Sequence, residues 1–130
     1  MAETQMFTQE FREGGYTYGI KEDLHSPDIK PFYLGFVALS ASGKVAWLRP
    51  QTRISYRIHP DEKMARILDV VVQPQYQGQD IGRKLVEIAE RRFRDHGITK
   101  VTGHAEPEVH GFWRKLGYVI LPNLAILKQL

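Results

Sequence analysis

Residues 68–86 read LDVVVQPQYQGQDIGRKLV, and this stretch decides the fold. It begins with an apolar, valine-rich run, passes Pro74 and a short polar turn, and continues directly into a helical pattern. Because the run lacks clean alternation, we expect a strand that is buried on both faces. Gly78 and Gly82 flank the expected start of the helix. Free backbone N–H groups point out of a first helical turn, so a strand, a glycine-containing turn and a helix together predict an anion site.

The spacing of these glycines excludes two common nucleotide-binding motifs. It is not G-x-G-x-x-G, and no Lys-Ser or Lys-Thr pair follows the second glycine as in G-x-x-x-x-G-K-[ST]. The anion site must therefore belong to another class of protein.

Length and composition indicate one ordinary globular domain. The chain has 130 residues, enough for a single core, and we expect one domain over residues 1–130. No apolar run approaches the ~18 residues of a membrane span, and the polar N-terminus lacks the apolar segment of a signal peptide. The absence of cysteine excludes a disulfide scaffold, a thiolate zinc site and a cysteine nucleophile. We expect a cytoplasmic protein without a membrane partner.

The charge of the chain is weakly informative. A net charge of +3 favours polyanionic ligands, and the phosphates of a cofactor satisfy it as well as a nucleic acid would. No basic run with interleaved aromatic residues occurs, so we do not expect a nucleic-acid partner.

The residues before the central stretch mostly predict strands. Aromatic and β-branched residues predict a strand over Phe32–Leu39, and a turn at residues 40–43 leads into a second strand over residues 44–49. Thr52–Ile58 alternates between apolar and polar residues, as in a strand with one buried face. Residues 1–20 fit either a strand or a short helix, and residues 21–31 predict a loop.

Two helices are predicted in the second half. The first covers Gln79–His96, and Gly97 ends it. Its apolar face, with residues at helical spacing, consists of Ile81, Leu85, Ile88, Ala89 and Phe93. The second covers Pro107–Leu116. Strands are expected between and after the helices, over residues 98–105, 118–121 and 124–127. This order predicts a mixed α/β (α+β) domain, an open mixed sheet with helices against its faces.

The central stretch resembles the acetyl-CoA-binding motif of the GNAT family of N-acetyltransferases, Gln/Arg-x-x-Gly-x-Gly/Ala after a strand that ends in V-x-P. Gln77 and Gly82 match the first and last positions, Val72-Gln73-Pro74 matches the strand end, and Asp80 stands at the middle glycine. Gly111–Tyr118 is similar to the family's F-Y-x-K-x-G-F segment. The resemblance covers about residues 32–121. It implies a central mixed, largely antiparallel sheet flanked by helices, with an N-terminal helical region that is shortened here.

The resemblance also implies a function and a site. The chain would transfer an acetyl group from acetyl-CoA to a primary amine of a small molecule, a peptide or a protein, without a metal. Backbone groups of Val70, Val71 and Val72 would bind the pantetheine and the thioester. The remaining cofactor-binding candidates are the turn that would hold the pyrophosphate and two flanking side chains: Gln77, Gly78, Gln79, Asp80, Ile81, Gly82, Arg83 and Trp113.

Two of these positions depart from the family pattern. Asp80 suits a helix N-cap, where its carboxylate would occupy the amides that should hold phosphate, whereas a side chain turned outward would leave them free. Trp113 stands where the family often has a tyrosine that protonates the leaving thiolate. An indole N–H is too weak an acid for that role, so Trp113 fits a core or pantetheine-packing position better. These departures favour an alternative, a catalytically weak or inactive GNAT-like module that binds a protein partner.

The densest ionisable cluster lies between His104 and His110. Glu106 and His110 are candidates to relay the proton of the amine, and a solvated helix start is the alternative. A metal site is not expected, because Pro107 breaks the face that the cluster would share and no cysteine completes a deaminase-like site. Tyr118 carries a phenol and is a third catalytic candidate, although it occupies the family's usual phenylalanine position.

The acceptor side leaves two questions open. Asp69 lies in the expected buried strand, where an unpaired charge is costly, so it is either paired structurally or lines the acceptor site. The family's N-terminal helices usually cover the acceptor. Their shortening here implies either an open acceptor site or a cover from a second subunit, which would make the protein a homodimer.

Overall fold

A computed structural model describes residues 9–25, 28–40 and 52–130, which form one eight-stranded sheet with the order β1-β2-β3-β4-β5-β6-β8-β7. β5 and β6 pair in parallel, and the other neighbours are antiparallel. The sequence-based prediction of a mixed, largely antiparallel sheet with helices is confirmed. The elements are β1 (Gln9–Glu13), β2 (Tyr16–His25), β3 (Phe32–Ser40), β4 (Arg53–His59), β5 (Met64–Val71), α1 (Ile81–Asp95), β6 (Lys100–His104), α2 (His110–Lys115), β7 (Val119–Ile120) and β8 (Ala125–Gln129).

The described N-terminal residues form a β-hairpin. β1 and β2 meet at Gly14 and Gly15, whose φ angles of 61° and 83° suit a tight hairpin turn that other residues adopt poorly. β2 then pairs with β3 as far as His25, so the loop predicted from residue 21 is wrong for residues 21–25. Long-range pairing with β3 outweighs the local charges that suggested a loop. The hairpin predicted over residues 40–49 falls almost entirely outside the described residues.

A β-bulge shifts the alternation of β5. Ser55 of β4 pairs with Asp69, whereas Tyr56 pairs with Ile67, so Leu68 is an extra residue on β5. Before the bulge Ala65 and Ile67 are buried, and after it the even-numbered Val70 and Val72 pack against the core. The prediction of a strand buried on both faces is therefore wrong. The valine run lacks alternation because the bulge changes its phase, and Leu68 and Val71 are exposed.

α1 provides most of the helical packing on the sheet. Phe93 meets Tyr56 of β4 edge to face, with ring centroids 5.0 Å apart. Full burial of each such side chain contributes about 1.5–3 kcal/mol. Gly97, at φ 74°, follows the helix as predicted. The buried apolar residues of α1 are Ile81, Leu85, Val86, Ile88, Ala89 and Phe93, and they include all five members of the predicted helical face.

The second predicted helix is divided into two parts. A 3-10 turn over Pro107–Val109 precedes α2, which has only six residues. α2 contacts β7, and Trp113 lies edge to face with the neighbouring ring of Tyr118 at 5.0 Å. Within the described parts of the chain, no helix is long and apolar enough to cross a membrane.

Candidate active site

The parallel strands β5 and β6 separate and leave a gap in the sheet. Their ladder ends at the pair Arg66–Thr102, although β5 continues to Val71 and β6 to His104. The bulge at Leu68 lies just beyond the last pair and bends β5 away. Gly103 is needed where β6 begins to diverge, since a Cβ atom there would lie 3.2 Å from the carbonyl oxygen of Ile67. Beyond the pair Arg66–Thr102, no strand ladder joins β5 to β6.

The turn after β5 is held by its own side chains. The Gln77 side-chain amide donates to the carbonyl of Val72 at 3.1 Å, and the Gln79 amide donates to the carbonyl of Gln75 at 3.2 Å. Tyr16 of β2 also donates its hydroxyl to the Gln79 side chain. Gln77 and Gln79 therefore shape the turn through their side chains.

α1 begins with unused backbone donors. Its first intrahelical bond runs from the Lys84 N–H to the Asp80 carbonyl at 3.0 Å. The N–H groups of Ile81, Gly82 and Arg83 therefore have no acceptor within the helix, and they lie at the positive end of the helix dipole. The sequence predicts an anion site at this position.

The Asp80 side chain does not cap the helix. Its backbone is left-handed, with φ 60° and ψ 18°, and its carboxylate makes no cap hydrogen bond. The side chain is 76% exposed and lies 3.4 Å from the guanidinium of Arg83. Of the two orientations considered from the sequence, the structure has the outward one, which leaves the helix amides free. A left-handed non-glycine residue costs about 1 kcal/mol, and the family's glycine avoids that cost.

A cleft of about 470 Å³ opens at this helix end. Of the predicted cofactor-binding residues, it brings together Val72, Gln77, Gly78, Asp80, Ile81, Gly82 and Arg83. Val70, Val71 and Gln79 do not line it. Four further residues complete its walls: Tyr76, Phe112, Lys115 and Leu116.

Phe112, not Trp113, forms the α2 wall of the cleft. Trp113 is 5% exposed and belongs to the core, as one of the two sequence interpretations expected. A Cβ atom on Gly82 would lie 3.3 Å from the Phe112 ring, so glycine allows helix and ring to approach closely. Helical periodicity cannot tell which of two adjacent aromatic residues faces the cleft, because both lie within the apolar stripe of α2.

The charges around the cleft are mixed. Arg83 pairs with Glu87 at 2.7 Å and lies near Asp80, and these two carboxylates raise the pKa of the Arg83 guanidinium. Lys115 is the second cation in the cleft wall, and it forms no ion pair with any residue that the structure describes. The cleft therefore offers two cations and a helix N-terminus to an anion, against the single carboxylate of Asp80.

Glu106 and His110 lie one turn apart but do not contact each other. The Glu106 carboxylate is 3.2 Å from His104 Nε2, and His110 Nε2 is 2.8 Å from the carbonyl oxygen of Ala105. A carbonyl oxygen only accepts, so Nε2 of His110 carries a proton and donates. Nδ1 is then the nitrogen that can take a proton. Neither residue lines the 470 Å³ cleft.

Tyr118 is buried in a structural network. Its hydroxyl donates to the Glu90 carboxylate of α1 at 2.8 Å, and the Lys128 ammonium donates to the same carboxylate at 3.0 Å. Burial, followed by the charge of Glu90, raises the pKa of the Tyr118 phenol. This placement argues against Tyr118 as the general acid, because a more weakly acidic phenol that is already committed to Glu90 is a poor proton donor.

Asp69 is only half satisfied. Its Oδ2 pairs with the Arg53 guanidinium at 3.2 Å, whereas its buried Oδ1 has no hydrogen-bond partner. The structural pairing expected from the sequence is therefore present for one oxygen. Within residues 9–25, 28–40 and 52–130, no three histidine, aspartate or glutamate side chains converge as ligands for a metal ion.

Three features together identify the fold class: the separation of β5 and β6, the turn after β5 and the uncapped start of α1. The family model of the acetyltransferase (GNAT) family matches residues 4–118. The chain belongs to this family, as the two sequence motifs had suggested.

Curated relatives match the chain over a shorter segment. Serotonin N-acetyltransferase 2, chloroplastic, from Oryza sativa subsp. japonica is 39% identical over 59 residues, which are 45% of this chain and 30% of that protein. Histone acetyltransferase TAP1 from Glycine max is 41% identical over 59 residues, which are 45% of this chain and 26% of that protein. The match therefore spans less than a third of either relative.

Solved structures share the fold. Tetrahymena GCN5 superposes with a TM-score of 0.64 at 12% identity, covering 74% of this chain and 68% of that one. The PaiA N-acetyltransferase from Thermoplasma acidophilum, solved in complex with coenzyme A, gives a TM-score of 0.61 at 19% identity, covering 73% of this chain and 60% of that one. At these identities the likeness concerns the fold.

Proposed function

We propose that the protein transfers an acetyl group from acetyl-CoA to a primary amine of a small molecule, a peptide or a protein. The observation that carries the proposal is the outward position of Asp80, which leaves the amides at the start of α1 free within a cleft. Family membership and the coenzyme A complex of the PaiA relative support it.

The chain offers fitting donors for the pyrophosphate and the pantetheine of acetyl-CoA. The N–H groups of Ile81, Gly82 and Arg83 would hold the pyrophosphate, with the Arg83 and Lys115 side chains as counter-charges. The β5 backbone at Val70 and Val71 would bind the pantetheine inside the gap between β5 and β6. Acetyl-CoA would supply the activated thioester.

The remaining work of the protein is alignment and proton transfer. Acylation of an amine by a thioester needs a deprotonated amine, an aligned carbonyl and a proton for the leaving thiolate. We propose His110 as the proton relay, because its Nδ1 can accept a proton while Nε2 is anchored to Ala105. Glu106 is the second candidate, since its exposed carboxylate lies in the same turn.

Trp113 favours a second candidate function. It stands at the family's tyrosine position, lies in the core and cannot protonate a thiolate. A GNAT-like module with weak or no catalysis, which acts by binding a protein partner, would tolerate this substitution.

A transfer assay separates the two functions. Purified protein is incubated with acetyl-CoA and a panel of primary amines, and the released thiol is measured with and without each amine. Amine-dependent thiol release that falls at least 10-fold in His110→Ala supports the transferase. Acetyl-CoA binding without release for any amine supports the binding module instead.

The proposal includes two alternatives for the acceptor site, which is either open or covered by a second subunit. The described residues before β3 form strands rather than helices, which fits an acceptor site that is open or is covered by a second subunit. A molar mass from light scattering distinguishes them, since a purely monomeric protein removes the second option.

A further inference from the structure

We propose that the face of the sheet opposite α1 recognises acidic side chains of a peptide or protein acceptor, an inference that rests on the proposed acetyl transfer. The recognition residues form an outer basic surface, defined as Phe32, Arg57, His59, Arg66 and Lys100. It borders the gap between β5 and β6, because Arg66 belongs to the last residue pair before the strands separate.

These side chains share one face. Tyr56 and Ile58 are buried on the α1 side of β4, so the alternate residues Arg57 and His59 point away from it. The Arg57 guanidinium lies 5.0 Å above the Phe32 ring, and the Phe32 and His59 rings stack at 6.1 Å.

Neighbouring strands extend the surface. Arg66 is the direct antiparallel partner of Arg57, and Lys100 lies beside Met64, the partner of His59. From β3 to β6 the surface spans about 14 Å, enough for several residues of an extended peptide.

Strand pairing places Arg57 and Arg66 where their charges repel each other. Like charges directly opposite each other on antiparallel strands repel and destabilise the pair. No described carboxylate lies within ion-pair distance of Arg57, Arg66 or Lys100. On this face Asp69 pairs with Arg53, and Asp23 is the strand partner of Leu34 of β3, one strand beyond Arg57. Asp61 and Glu62 lie in the turn between β4 and β5 and form no ion pair with Arg57, Arg66 or Lys100.

Among the described residues, the arginines of α1 are paired, unlike those of the outer basic surface. Each arginine of α1 lies within ion-pair distance of a carboxylate, and these pairs are Arg83–Glu87, Arg91–Glu13, Arg92–Glu22 and Arg94–Glu90. Arg57 and Arg66, which lie opposite each other without a carboxylate partner among the described residues, therefore contrast with the arginines of α1. An acidic ligand would supply the missing partner, since guanidinium groups bind carboxylates in a bidentate way.

Exposed apolar residues beside the arginines favour a peptide over a small anion. Leu34 of β3 is the strand partner of Arg57, and Leu68 lies two residues after Arg66 on β5. Both are exposed, at 39% and 45%. Arginine with neighbouring apolar side chains is typical of surfaces that bind polypeptides.

A binding experiment tests the surface without acetyl transfer. A fluorescein-labelled, N-acetylated peptide rich in glutamate and free of lysine is titrated with protein at low salt, and fluorescence anisotropy is recorded. We expect binding that weakens as salt rises. Arg57→Gln and Arg66→Gln should each weaken it about 3–10-fold, whereas the matched control Arg94→Gln, which removes the same charge from α1, should change it less than twofold.

Three results would overturn the proposal: equal affinities for all three variants, equal binding of a neutral peptide, or tighter binding of a single-stranded DNA of equal charge. Stability provides a second readout. Arg66→Gln should raise the Tm by about 1–3 °C because it removes the repulsion from Arg57. A lower Tm would show that Arg66 is structural. Loss of acetyl transfer with peptide binding intact would count against the proposed function alone.

Discussion

The two ends of α1 differ in whether their polar groups have hydrogen-bond partners within the protein. At the C-terminal end, the Glu22 carboxylate accepts hydrogen bonds from Arg92 at 2.8 Å, from Tyr56 at 2.6 Å and from His96 at 2.8 Å. At the N-terminal end, the helix amides have no side-chain cap and Asp80 points outward. The first end is satisfied within the protein, whereas the second is the end at which we propose that the cofactor binds. An internally satisfied cluster stabilises the fold, whereas an unsatisfied one marks a binding site.

The same contrast separates the two faces of the sheet. The arginines of α1 pair with carboxylates, whereas Arg57 and Arg66 on the outer face lie opposite each other. Both unsatisfied regions border the gap between β5 and β6. The cofactor and the acceptor would therefore reach the gap from separate places, the helix start and the outer face.

Removing the Glu22 carboxylate at the C-terminal end of α1 should have the largest effect of the changes considered, a loss of stability. Glu22→Gln leaves the Arg92 guanidinium without its buried counter-charge, so the free energy of unfolding should fall by about 3 kcal/mol. Urea unfolding followed by circular dichroism measures this change. Acetyl-CoA affinity should change less than twofold, because Glu22 lies at the far end of the helix. A stability loss below about 1 kcal/mol would contradict the assignment of this end as structural.

Glu22 should also make the stability of the protein depend on pH. Burial alone would raise the pKa of Glu22, but hydrogen bonds from Arg92, Tyr56 and His96 lower it from 4.5 to about 2. The stabilisation by the ionised carboxylate is therefore fully present above pH 4.5 and is lost as the pH falls through about 2. Unfolding measured across this window should lose that part of its pH dependence in Glu22→Gln. An unchanged profile would place the titration on other groups.

A bulky side chain in the cleft at the N-terminal end of α1 should weaken cofactor binding strongly and leave the fold intact. Gly82→Leu extends a side chain into the cleft beside Phe112 and Val72, and acetyl-CoA affinity should fall by about 100-fold. Gly111→Leu is the matched control, because a Cβ atom there meets nothing within 4 Å. Equal affinities of the two variants for acetyl-CoA would show that the cleft is not the cofactor site.

Tyr118→Phe should separate a structural role from a catalytic one. The variant removes one hydrogen bond to the buried Glu90, which keeps Lys128 as a partner, so we expect a loss of about 1 kcal/mol of stability. The turnover rate for acetyl transfer should stay within twofold of the natural value. If the turnover rate instead fell by 10-fold or more, at a temperature where the variant is folded, Tyr118 would again be a candidate general acid.

The local sequence pattern was sufficient to predict the main helix of this protein and the turn before it. The helical spacing of Ile81, Leu85 and Phe93 predicted the buried face of α1, and the glycine-containing turn predicted its free N-terminus. The bulge at Leu68 also leaves a trace in the sequence, because the core-facing apolar residues change from odd to even positions along β5, but a strand with two buried faces explains the same run.

Other features depend on contacts that no local pattern encodes. Glu22 and Arg92 are 70 residues apart in sequence, so their pairing follows only from the assembled sheet. The outward position of Asp80 depends on a left-handed backbone, which short polar residues adopt without any signal in the neighbouring sequence. The unpaired Arg57 and Arg66 require the register of β4 against β5.

Calorimetric titration with acetyl-CoA tests the central claim, that the start of α1 is a cofactor site, most directly. The natural protein should bind in the micromolar range, and Asp80→Gly should bind about 3–10-fold more tightly, because it removes a negative charge from the proposed anion site. Absence of binding by both proteins would contradict the claim and leave only the fold established.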